Sequence, residues 1–263
     1  MIKPSLSCLR SPRPSIGTWL SVGSPVIAEL AAECGFDWLL FDLEHGSLSE
    51  SALLTNLQAI KGTDVLAVVR VGAPYPDLIL RALDWGAAGI MVPQIESAAE
   101  AEACVQAMHY PPRGRRGLSQ SARVYGYGVR LAEDFNQISK PILMVQIETL
   151  EGVRQADKIA AVDNVDMLFV GPRDLAFDIE ARGAEPGLDY DGCLKRVVEA
   201  AEEQQKQTGI LVRTVAEAAR LHQVGFTHFA VDGDLSILRT HYLQMIEQAK
   251  LQAEFSSAVA SGA

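Results

Sequence analysis

Eight short apolar runs, each parted from the next by a helix-like segment, constrain this chain more than any other feature. They are IGTWLSV (16–22), DWLLFDLE (37–44), VLAVVRV (65–71), GIMVPQI (89–95), ILMVQIE (142–148), MLFVGPRD (167–174), TGILVR (208–213) and THFAVDGD (227–234). Most are nearly continuous in Val, Ile, Leu or Phe, the pattern of parallel strands covered on both faces. The segments between them carry helix punctuation. SPVIAELAAECG offers Ser24 as N-cap, Pro25 in the first turn and Gly35 past the last. CGFDW, DWGAAG and QVGFTH repeat a glycine at or near the helix end.

Strand and helix alternating eight times predict an α/β fold, a single-domain (β/α)8 TIM barrel. The length of 263 residues suits that fold. The rival, an open doubly wound sheet, is disfavoured because no GxGxxG follows the first strand. The expected organisation is a lead-in over 1–15, the barrel over 16–250, and a helix end with a disordered small-residue tail, SSAVASGA, within 251–263. A long connection, 110–128, separates the fourth and fifth strands and is expected to be functional or mobile.

A net charge of -10 and a pI near 5.0 exclude nucleic acid as a partner, because phosphates require a basic face. No apolar run has the length of a membrane span, and the N-terminus lacks a signal-peptide core. Cys8, Cys34, Cys104 and Cys193 are scattered, with no CxxC pair and no zinc-finger spacing to a histidine. Reduced thiols and a cytoplasmic location are expected.

In such a barrel, chemistry gathers at the C-terminal ends of the strands. Here the first strand is silent. The second ends in Asp42, Glu44 and His45, the third in Arg70, the fifth in Gln146 and Glu148, the sixth in Asp174. Any one of these could be an ordinary polar strand end. Four strand ends meeting at one rim are harder to dismiss. Two carboxylates, Glu148 and Asp174, suit a hard divalent cation such as Mg2+ or Mn2+, with room left for substrate oxygens. In GPRD, backbone N–H groups after the turn can face an anion. Arg70 is a fixed cation for an oxyanion, and His45 can move a proton near neutrality. A keto acid bound through its carboxylate and keto oxygens would use all of these groups.

At these residues the sequence resembles the HpcH/HpaI class II, metal-dependent pyruvate aldolases. The likeness runs from about Gly17 to Asp234 and is carried by GTWLSVGSPVIAELAAECGFDWLLFDLEHG, RALDWGAAGIMVPQI, YPPRGRRG, MVQIET and VGPRDL. It implies reversible aldol cleavage of a 4-hydroxy-2-oxo acid, of the 2-keto-3-deoxy sugar acid type, to pyruvate and an aldehyde. It implies His45 as catalytic base, Arg70 as transition-state stabiliser, Gln146 as a pyruvate contact, and Glu148 and Asp174 as ligands of Mg2+, Mn2+ or Co2+. Position 173 would touch substrate through its backbone; it is more often small in the family and is Arg173 here. Asp84 would raise the basicity of His45. It precedes the fourth strand, at the wrong end of its own barrel, so the resemblance implies a homo-oligomer, a hexamer built as a trimer of dimers, with Asp84 supplied by a neighbouring subunit. Read without the resemblance, Asp84 is a solvent-facing helix end.

Rival readings use the same enolate chemistry, as an oxaloacetate decarboxylase or an acyl-CoA lyase, or none, as a keto-acid-binding barrel. A CoA enzyme needs a basic patch, for which RGRR (113–116) is the one candidate; a solvated or interface loop is the preferred reading of it. Lys140 precedes the fifth strand, which argues against Schiff-base chemistry.

Overall fold

A computed structural model describes residues 9, 13–130, 140–183 and 186–261. All eight runs form strands: β1 Ser15–Leu20, β2 Trp38–Asp42, β3 Leu66–Arg70, β4 Gly89–Val92, β5 Ile142–Ile147, β6 Met167–Val170, β7 Gln207–Val212 and β8 His228–Gly233. They pair in chain order, every pair parallel, and β8 closes on β1. The helices are α1 Pro25–Glu33, α2 Glu50–Ala59, α3 Pro76–Asp84, α4 Ala98–Met108, α5 Leu150–Arg154, α6 Ala156–Ala160, α7 Pro172–Arg182, α8 Tyr190–Glu203, α9 Val215–His222 and α10 Asp234–Ser261. The fold is the (β/α)8 barrel the alternation requires.

Strand parity divides the core in two. One face of each strand meets the helices, where Leu39, Phe41, Val69, Ile90, Val145 and Leu168 pack in a continuous apolar shell. The other face fills the barrel, with Trp19, Trp38, Leu40, Val68, Met144 and Phe169 among its members. Two glycines make room for the aromatic rings. A Cβ at Gly17 would lie 2.2 Å from the Trp38 ring, and one at Gly209 would lie 2.4 Å from Phe169. These rings and the apolar side chains around them pack the interior below the mouth.

The same parity aims Asp42, Arg70 and Gln146 inward. Asp42 continues the Trp38–Leu40 face, Arg70 the Leu66–Val68 face, and Gln146 the Ile142–Met144 face. Asp42 and Arg70 are also paired residues across β2 and β3.

Residues 109–130 fold under the opposite end of the barrel. The Tyr110 and Tyr125 hydroxyls are 2.6 Å apart, and Arg123 Nη2 donates to the Leu57 carbonyl at 3.1 Å. This connection lies away from the rim at the C-terminal ends of the strands. α10 continues to Ser261, through most of the segment expected to be a disordered tail. Alanine and serine tolerate a helix, and no glycine or proline interrupts 251–261. Residues 262–263 and most of the 1–15 lead-in lie outside the described residues. Among the described residues no helix is long and apolar enough to cross a membrane.

Candidate active site

Arg70 organises the mouth of the barrel. It is 7% exposed, and its Nε and Nη2 donate to the two oxygens of Asp42 at 2.9 and 2.8 Å. Its Nη1 lies 3.0 Å from Glu44 Oε2 and makes a long 3.5 Å contact with Gln146 Oε1. The guanidinium sits 4.8 Å above the Trp19 ring, whose indole N–H donates to Asp42 at 3.2 Å. The first strand is therefore not silent: Trp19 faces inward with Gly17 and supports the Asp42–Arg70 pair.

Asp42 is almost fully buried. Burial alone would raise its pKa, but the Arg70 bonds and charge, with the Glu44 and His45 backbone N–H groups, outweigh it and hold the carboxyl below its usual range. Glu44 moves the other way. Burial raises it, against the opposing pull of Arg70 and His45. Its Oε2, though in ion contact with Arg70, lacks hydrogen-bond geometry to any partner among the described residues.

Glu148 follows β5 directly. Its Oε1 accepts from the Gln94 backbone N–H at 2.9 Å and its Oε2 from Gln146 Nε2 at 2.7 Å. Gln94 reaches it from a left-handed conformation, φ 53°. Burial pushes the Glu148 carboxyl up to about 7; the Gln94 N–H opposes this, and the nearby charges of Asp174 and Glu44 add to it. Gly171 leaves space for this carboxylate, since a Cβ there would lie 2.2 Å from Glu148 Oε2.

Asp174 is not a strand end. β6 stops at Val170, Gly171 is the N-cap, and Pro172 opens α7, which puts Asp174 in the helix's first turn. A proline after an apolar run can end a strand or begin a helix, and here it begins one. The first turn of α7, from Pro172 to Asp174, therefore lines the mouth, and a helix start carries N–H groups free to meet an anion.

A cavity of about 140 Å³ opens here, lined among others by Trp19, His45, Arg70, Gln146, Arg173 and Asp174. Phe169 forms its floor, 5.9 Å from the Trp19 ring and 6.3 Å from Trp38, ring centre to ring centre. His45 is 73% exposed at the lip, its Nε2 3.7 Å from Glu44 Oε1. Eight of the nine residues singled out from the sequence, all but Asp84, thus lie in or beside one mouth. Trp19 and Gln94 join them. Strand parity could have indicated Trp19; the left-handed Gln94 leaves no sequence signal.

Asp84 is the exception. It ends α3 at the far end of the barrel, where Arg116 Nη2 donates to it at 2.6 Å. It is not a solvent-facing helix end, because its side chain is only 13% exposed. Nor is RGRR simply a solvated loop: Arg116 is 3% exposed and lies 4.7 Å over the Tyr110 ring.

A closed parallel barrel whose open mouth is lined by oxygens, two arginines and a histidine defines an enzyme of the (β/α)8 class. The model of the HpcH/HpaI aldolase/citrate lyase family matches residues 15–239, and the chain belongs to that family. It is 37% identical to a 5-keto-4-deoxy-D-glucarate aldolase of Shigella boydii over 89% of this chain and 91% of that protein. A crystal structure of an HpcH/HpaI aldolase/citrate lyase family protein from Burkholderia cenocepacia superposes with a TM-score of 0.85 at 33% identity, covering 93% of this chain and 98% of that one. An HpcH/HpaI aldolase from Desulfitobacterium hafniense gives 0.84 at 27% identity, over 95% and 97%.

Proposed function

We propose that this protein is a carbon–carbon lyase that reversibly cleaves a 4-hydroxy-2-oxo acid, of the 2-keto-3-deoxy sugar acid type, to pyruvate and an aldehyde. The observation that carries the reading is the convergence of the buried Glu148, held by the Gln94 backbone and Gln146, with Asp174 and Glu44 in one mouth, where their like charges add to the burial that raises its pKa. Such crowded carboxylates fit a hard divalent cation, whose charge would relieve them. Among the described residues no group of three His, Cys, Asp or Glu side chains that could hold a metal ion is formed, so the proposed site has two protein carboxylates and leaves its other positions to water and substrate. Glu148 and Asp174 would hold Mg2+, Mn2+ or Co2+, and the bound cation would supply Lewis-acid polarisation of the 2-keto group.

The chain's own residues supply the rest. The first turn of α7 receives the substrate carboxylate through the backbone N–H groups at Arg173 and Asp174. Gln146 fixes Glu148 through its amide and faces the pyruvyl half. His45, open at the lip, accepts the proton of the C4 hydroxyl. The C4–O bond becomes the aldehyde carbonyl, and the C3–C4 electron pair forms the C2–C3 double bond of the enolate. Arg70, already oriented by Asp42, faces the negative charge on the C2 oxygen. Protonation at C3 then gives pyruvate. Lys140 lies just before β5, at the other end of the barrel, so no Schiff base is invoked.

The related 5-keto-4-deoxy-D-glucarate aldolases support this reading over decarboxylation. An acyl-CoA lyase is disfavoured because RGRR lies at the far end and its Arg116 is occupied by Asp84. A homo-oligomer is part of the proposal. α10 exposes Leu235, Ile237, Tyr242, Leu243, Met245 and Ile246, apolar surface that a second copy would cover. In a trimer-of-dimers hexamer, Asp84 would reach His45 of a neighbour. Free thiols at Cys34, Cys104 and Cys193 accord with a cytoplasmic location.

The test is pyruvate in D2O with Mg2+ or Mn2+, or with EDTA, followed by NMR of the methyl group. Metal-dependent deuterium exchange, lost in Glu148→Gln, is expected. A metal-loaded protein that exchanges nothing would overturn the assignment.

A further inference from the structure

The two carboxylates that would hold the cation are fixed by different means. Glu148 is held directly, by the Gln94 backbone N–H at 2.9 Å and by Gln146 Nε2 at 2.7 Å. Asp174 is exposed, and among the described residues no hydrogen bond holds its carboxylate. Its place is therefore set by the helix that carries it. Apolar packing anchors that helix lightly. Of the 11 residues of α7 only Leu175 is buried; Ile179 is partly so, and Phe177 is exposed.

A polar contact supplies what the packing does not. Asp178 lies one turn after Asp174, on the same face of α7 and about 6 Å further along its axis. Its Oδ2 accepts from the Leu150 backbone N–H at 2.8 Å. Leu150 is fully buried and opens α5, two residues after Glu148. Its N–H is one of the first-turn donors that a helix leaves without an intrahelical partner. The N-cap, Thr149, accepts from Gly152 at 3.1 Å, and Asp178 meets the Leu150 N–H in its stead. Arg182 Nε donates to the other Asp178 oxygen at 2.6 Å and holds the carboxylate in this orientation. A short bracket thus runs from Glu148 through Leu150 and Asp178 to Asp174. It joins the two elements that deliver the two carboxylates. Without it, their separation would rest on Leu175, Ile179 and the turn at Gly171.

We propose that Asp178 is a positioning residue, which sets Asp174 against Glu148 and so sets the affinity of the site for its divalent cation. This rests on Glu148 and Asp174 as the ligands of that cation, and adds to them a residue that does not line the mouth.

The experiment measures Mn2+ affinity by calorimetry on the full chain, with circular dichroism and thermal unfolding alongside. Wild type is expected to bind Mn2+, and Glu148→Gln to lose that binding. Asp178→Ala should bind Mn2+ about 10- to 100-fold more weakly, the scale on which the outer hydrogen-bond partners of a metal site act, while its circular dichroism stays that of the folded barrel. Asp178→Leu keeps the branching of the side chain, favours the helix more and lacks the acceptor, so it carries the same expectation if alanine does not fold. Asp178→Asn keeps a carbonyl oxygen for the Leu150 N–H and should recover most of the affinity. A role confined to stability would lower the unfolding temperature of Asp178→Ala or Asp178→Leu and leave the Mn2+ affinity of the folded protein at the wild-type value. That result overturns the proposal and leaves the aldolase reading intact. So does an Asp178→Asn variant as weak as Asp178→Ala, because charge rather than the bracket would then be the cause. A wild type that binds no Mn2+, or a Glu148→Gln variant that binds it as wild type does, overturns the ligand assignment and the proposal together.

Discussion

Arg70 is aimed by the side chain opposite it in the sheet, and the pairing explains why an expensive buried charge is kept. Burying an ion pair gains little stability over apolar packing, whereas removing one partner leaves the other uncompensated. The return is orientation: Asp42 grips two nitrogens and Trp19 lies beneath the plane. Asp42→Asn should therefore destabilise the protein by about 3 kcal/mol, read as a lowered denaturant midpoint, and should lower kcat with little change in metal affinity. Glu148 gives a prediction in pH. Its folded pKa is about 7 against an ordinary 4.5, so the folded state keeps a proton that the unfolded chain has lost. Burying this carboxyl therefore costs nothing below pH 4.5, progressively more as pH rises toward 7, and its full penalty above. In metal-free protein, the stability of wild type relative to Glu148→Gln should fall over that window. Added Mn2+ should reverse the loss, and its affinity should strengthen with pH up to about 7, as calorimetry would measure.

The start of α7 shows how an element builds what no single residue can. β6 delivers the chain to the rim, Gly171 passes beside Glu148, and Pro172 begins a helix whose first turn lines the mouth. Gly171→Ala would force Glu148 aside, because the added carbon meets its Oε2 at 2.2 Å. Activity should drop by about 100-fold or more, the scale of losing a preorganised electrostatic group, while circular dichroism stays that of the folded barrel. Elements of this kind were only partly legible in the sequence. The eight strands could be read because two-sided burial leaves continuous apolar runs, and their parity placed Arg70, Gln146 and Glu148 together. Asp174 was found as a residue but assigned to the wrong element, since VGP suits either a strand end or a helix start. Gln94 and the burial of Arg116 were not legible at all. One depends on a left-handed backbone, the other on where the loop after α4 meets the end of α3.

At the scale of the whole molecule, the two ends of the barrel divide the labour. His45 stands at one end, and Asp84, bonded to the buried Arg116, at the other. Within one chain the two cannot meet, so any influence of Asp84 on His45 must cross between copies. Among the described residues Arg116 keeps Nε and Nη1 buried without hydrogen-bond partners, and so depends heavily on Asp84. For that reason Asp84→Asn, which retains a carbonyl acceptor, is the variant to use rather than alanine. His45→Ala and Asp84→Asn should each be nearly inactive as homo-oligomers. Mixed oligomers formed by co-expression should regain activity, because a His45 from one parent can face an Asp84 from the other. Native mass spectrometry would verify that both subunits are present in one particle. Verified mixtures as inactive as their parents would mean that Asp84 serves Arg116 and the fold of its own chain, and that each mouth works alone.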